Sequence, residues 1–93
     1  MQVNSTLDAI ETFMESILWN DFKRELNIWK EAFEQERAGL VDTVAESNPS
    51  TTSVLVHLGD LHGRIKAVDY LLELPSIFQQ LKQSETEDAE KSV

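Results

Sequence analysis

A 93-residue chain with a formal charge of −9 and no cysteine is one domain at most, with neither a disulfide nor a thiolate metal site to staple it. The acidity disfavours nonspecific binding to nucleic acid or to anionic membranes, because both require a surface that exchanges counterions for Lys and Arg. No apolar run approaches the roughly 20 residues of a membrane span, and no basic segment leads into an apolar one, so a soluble, unsecreted protein is expected.

Near the amino end, Ser5 and Asp8 have the spacing of a capping box. Leu7, Ile10, Phe13 or Met14, and Ile17 then recur at helical intervals, predicting a short helix from about Thr6 to Ser16. "WND" offers caps at Asn20 or Asp21, where a kink or restart is expected, although a continuous helix is also allowed. From Leu18 to about Ala45, Phe22, Leu26, Trp29, Phe33, Leu40 and Val44 hold one drifting face. Lys30 with Glu34, and Glu34 with Arg37, have spacings that pair on the solvated side. Gly39 weakens this helix by about 1 kcal/mol relative to alanine.

"ESNPSTTS" is the expected connection, since Asn48 before Pro49 disfavours helix and the Ser/Thr cluster supplies caps. Beyond it Val54, Leu58, Leu61, Ile65, Val68 and Leu72 step by four and three in alternation. Leu74-Pro75 predicts a stop or kink, with Pro75 able to open a short final helix carrying Ile77, Phe78 and Leu81. The acidic end, "SETEDAEKSV", has little to bury and is expected to be a solvated, disordered tail.

Read as a strand and loop, Ser53 to Leu74 resembles the first metal-binding motif of the metallophosphoesterases, with "GDLHG" supplying Asp60 and His62 as ligands. A two-metal site draws on several separated motifs. Here the only other histidine is His57, and there is no Asn-His pair. The segment also lacks the period-two alternation of a strand. On a helix, Asp60 and His62 point about 200° apart and do not share an ion. The helical reading is therefore preferred and the likeness taken as coincidental.

Gly59, Gly63 and Ala67 form a small-residue row that admits close approach of another element. The favoured occupant is Trp19, Trp29 or Phe33 of the hairpin partner, with an intermolecular contact as the alternative. His57 and His62 fall on different sides of a helix, so no metal pair is expected. Asp60 and Arg64 have the i, i+4 spacing of a surface ion pair, although Arg64 could instead reach a partner carboxylate. No nucleophile–base arrangement is evident, and neither catalysis nor a cofactor is indicated.

The segments "WNDFKRELNIWKEAF" and "LGDLHGRIKAVDYLLELP" also resemble small helical proteins encoded by tailed bacteriophages, with Gly63, Arg64, Ile65, Ala67, Leu71, Leu72, Leu74 and Pro75 as the matching positions. That resemblance implies an accessory or structural protein acting through protein contacts.

Together these readings predict an all-α antiparallel helical hairpin with a short amino-terminal helix over residues 1–83, and an acidic tail over 84–93. Its interaction and packing residues are Phe22, Leu26, Trp29, Phe33, Leu58, Gly59, Leu61, Gly63, Arg64, Ile65, Ala67, Val68 and Leu72. A single hairpin leaves part of these faces open, so a homo-oligomer is expected. The expected role is non-enzymatic assembly, as a virion component or in the host cytoplasm, with other virion proteins as further partners. The rival is an acidic inhibitor that mimics nucleic acid and blocks a basic cleft.

Overall fold

The computed structural model describes the backbone of residues 1–47 and 51–91 and the side chains of 1–42 and 52–89. Among these residues, three helices make up the fold: α1 (Leu7–Met14), α2 (Ile17–Ser47) and α3 (Thr51–Lys91). The all-α hairpin read from the heptads is the observed architecture. Asn48 and Pro49 of the expected connection, and the Val44 side chain, lie outside the described residues. Helix reaches Ser47 on one side and resumes at Thr51 on the other, so the expected connection is shortened from both ends.

Cross-helix contacts fix the direction of packing. Glu36 lies opposite His57, Phe33 opposite Arg64, and Lys30 opposite Asp69, so α2 ascends while α3 descends. The core seam of α3 is formed by Val54, Leu61, Ile65 and Val68, all buried, with Leu58 between them and Leu72 beyond Val68 half-covered. Leu61 is 1% exposed, the deepest of the described side chains. On α2, Leu26, Phe33 and Leu40 are half-buried, while Trp19 is buried at the end where α1 folds back. The Phe13 and Trp19 rings lie 5.3 Å apart at 40°, and Ile10 is buried beside them, which pins α1 to the hairpin.

Local chemistry departs from the expected caps by a few residues. Thr6, not Ser5, caps α1: its Oγ1 accepts from the Ala9 amide at 3.2 Å. Ala9 has no carboxylate with which to reciprocate, so the Ser5–Asp8 box does not form. The chain restarts at Ser16, ahead of Asn20 and Asp21. There the Ser16 hydroxyl donates to the Phe13 carbonyl at 2.6 Å and accepts from the Trp19 amide at 3.0 Å. One side chain thus closes α1 and opens α2. Ser16→Ala is expected to lower stability by about 1 kcal/mol, measurable as a shift of the urea midpoint at unchanged slope.

The expected stop at Leu74-Pro75 does not occur: α3 runs through Pro75. Proline removes the amide that would bond to the Leu71 carbonyl, a cost of about 3 kcal/mol in a helix interior. Pro75 is itself buried and, with Phe78, lines the contact with Ile10 of α1, so packing offsets that loss. Past Leu81 the helical backbone continues to Lys91, and every described side chain from Ser84 to Ala89 is exposed, as the acidic composition requires.

The result is a thin layer, not a ball. Its extents are 66 × 30 × 15 Å and its radius of gyration is 19.4 Å, against roughly 12 Å for a compact chain of this length.

Candidate interaction face

Two helices side by side bury one stripe each and leave both faces of the pair open to solvent. On one of those faces lies an apolar groove of about 460 Å³. Phe13, Trp19, Phe22, Leu26 and Trp29 form one wall, and Leu71, Leu74, Pro75 and Phe78 form the other. Among the described residues its sole charged lining residue is Glu25, whose Oε1 accepts from the Trp29 indole N–H at 3.1 Å. Phe22 and Trp29 are 52% and 50% exposed, so the aromatic half of the α2 stripe faces this groove and solvent instead of a closed core.

The opposing polar contacts hold the hairpin in register. Lys30 donates to Asp69 at 2.6 Å across the two helices, in place of the in-helix pairing expected with Glu34. The hydrogen-bonded Asp69 carboxylate holds the Lys30 ammonium above its usual 10.5, with Glu34 adding a smaller push in the same direction. Arg64 pairs with Asp60 at 3.1 Å, as the i, i+4 spacing requires, and its guanidinium also lies 5.7 Å from the centre of the Phe33 ring. His57 lies 3.3 Å from Glu36 near the connection.

The "GDLHG" segment is helical throughout, which removes the strand and loop that a phosphoesterase motif requires. Among the described residues, no group of three or more His, Asp or Glu side chains is placed to hold a metal. No helix among them is long and apolar enough to cross a membrane.

The small-residue row is where the expected packing fails. A Cβ built at Gly59 or Gly63 meets nothing within 4 Å, and Ala67 is exposed. Trp19 packs on Phe13 near α1, Phe33 lies against Arg64, and Trp29 lines a groove with Leu71 and Leu74, so none of the three comes within 4 Å of a Cβ at Gly59 or Gly63. The reason is angular. The core seam through Leu61 and Ile65 points at α2, and the row lies roughly a third of a turn or more away from it.

A second seam becomes visible once the row is placed. Val56, Gly63, Ala67, Leu71, Leu74, Phe78 and Leu81 step by seven, four, four, three, four and three, all on one side of α3. Val56 is 70% exposed, Leu71 45% and Leu81 37%, whereas Leu74 and Phe78 are half-covered by the groove's other wall. Of these residues, Val56 and the seam as a continuous line were not anticipated from sequence. The signal was available as a second heptad register on the same helix.

No protein-family model matches this chain, and no similar curated protein or solved structure was found.

Proposed function

We propose that this chain is a non-enzymatic protein-interaction module that assembles through its apolar face. The observation that supports the reading is the groove between Phe22 and Trp29 of α2 and Leu71, Leu74 and Phe78 of α3: a hydrophobic channel with one hydrogen-bonded carboxylate at its edge. Half-exposed aromatics of this kind are what binding surfaces concentrate, and a thin two-helix layer gains most from a second layer laid over it. In its specific form, resting on the resemblance to tailed-phage proteins alone, the module is a virion or assembly component.

Ion pairing weighs against nucleic-acid mimicry. Asp21, Asp60, Asp69 and Glu85 each lie against Arg24, Arg64, Lys30 and Lys82, so these carboxylates do not form an uncompensated, phosphate-like row. The two roles separate on removal of Ser84 to Val93, which deletes four acidic residues and one lysine. Under the assembly reading, light scattering gives the same number of associated copies for full-length and truncated protein at low and high salt, because apolar burial drives association. A monomer under all conditions, joined to salt-sensitive and tail-dependent binding to a basic nucleic-acid enzyme, defeats it.

A further inference from the structure

We propose that two copies of this chain pair antiparallel along the second seam of α3, as a symmetric dimer with its axis beside Tyr70 and Leu71. The inference rests on the reading of the apolar face as an interaction site and adds its occupant and orientation.

On the connection side of its middle the seam runs through Gly63 and Ala67, with open space over Gly63; on the carboxyl side it runs through Leu74 and Phe78, which are half-covered by the groove. Two pairs of its members are placed symmetrically about the midpoint of Tyr70 and Leu71, while Val56 and Leu81 fall opposite Glu85 and Asp60. Phe78 is as far beyond that point as Gly63 is before it, and Leu74 matches Ala67 in the same way. An antiparallel copy therefore sets each bulky residue over a small one. A parallel copy sets Phe78 against Phe78 and glycine against glycine, which crowds one end and leaves a void at the other. Self-complementarity of one patch is what a two-fold interface requires.

Charge selects the same orientation. Ser84 to Ala89 carries three acidic residues and no basic one, a formal −3. Parallel pairing lays two such segments side by side. Antiparallel pairing sends them to opposite ends, alongside the partner's Thr52 to His57, a stretch with no acidic residue.

The largest exposed aromatics supply about two fifths of the area such an interface needs. Aromatic side chains carry about 150–250 Å² each, so Phe22, Trp29 and Tyr70, each about half exposed, leave on the order of 300 Å² open. A stable interface takes roughly 800 Å² per partner. Val56, Leu71 and Leu81 of the seam, with the uncovered surface of Gly63 and Ala67, extend the patch toward that size.

The chain has no cysteine, so single thiols can be placed at exposed seam positions and joined by a short thiol cross-linker. Tyr70→Cys is expected to cross-link to itself in high yield. Val56→Cys and Glu85→Cys are each expected to give little dimer alone and substantial dimer when mixed, since they are equidistant from the axis. Efficient self-linking of Val56→Cys shows a parallel pair and overturns the inference while leaving assembly intact. Absence of a Tyr70→Cys link in a protein that still weighs as a dimer also overturns it, by excluding the seam. A monomeric mass for the unmodified chain overturns both this inference and the function on which it rests.

Discussion

Leu61→Ala is expected to be the most damaging single truncation in the hairpin, with a loss of about 2–5 kcal/mol. Leu61 is 1% exposed and sits between Val54 and Val68 on the seam that faces α2. Truncation removes its transfer free energy and leaves a cavity that two helices held in register by the Lys30–Asp69 pair cannot easily close. Total stabilities of small domains run about 5–15 kcal/mol, so such a loss is a large share of the whole. Chemical denaturation followed by circular dichroism measures it. The seam-facing position Ala67 is the informative contrast: exposed and outside the core seam, its replacement by serine should leave the monomer's stability within about 0.5 kcal/mol. Equal losses at the two positions would mean that the core seam has been misplaced.

The second large effect concerns assembly and not folding. Trp29→Asp places a carboxylate in the middle of the apolar groove, next to Glu25. Trp29 is 50% exposed in the monomer, so only part of its burial is lost on substitution, and helical content should be retained. In an assembled form the same carboxylate is taken out of water without a partner. Central aromatic hot spots contribute 2 kcal/mol or more, so association should weaken by at least about thirtyfold. Sedimentation velocity with parallel circular dichroism separates the outcomes. Unchanged association with intact helices would remove the groove from the interface.

How much of this was legible depended on whether one stripe or two had to be read. The seam from Val54 through Leu72 has a strict four-three alternation, and that alone predicts α3 as far as Leu74 and its pairing with α2. Boundaries were harder because they turn on single side chains. Thr6 and Ser5 are chemically near-equivalent caps, and Ser16, which reads in sequence as the end of α1, also caps α2 in place of Asn20 or Asp21 because Phe13 and Trp19 pack across it. Pro75 reads locally as a stop, and only its burial beside α1 explains a helix that runs through it. The glycine row was noticed but assigned to the wrong neighbour. Spacing says that Gly59, Gly63 and Ala67 share a side of the helix, but not whether that side faces α2, and the structure turns it outward. The groove was hardest to see, because its walls come from three helices and no single segment carries its pattern.

The central claim is that the apolar face is covered by association, and mass in solution tests it most directly. Sedimentation equilibrium of the full-length chain at moderate salt, over a hundredfold range of concentration, should show the mass rising from 10.6 kDa toward twice that value or above, with Trp29→Asp remaining at the lower value. A wild-type mass of 10.6 kDa at every concentration, indistinguishable from the variant, would contradict the account.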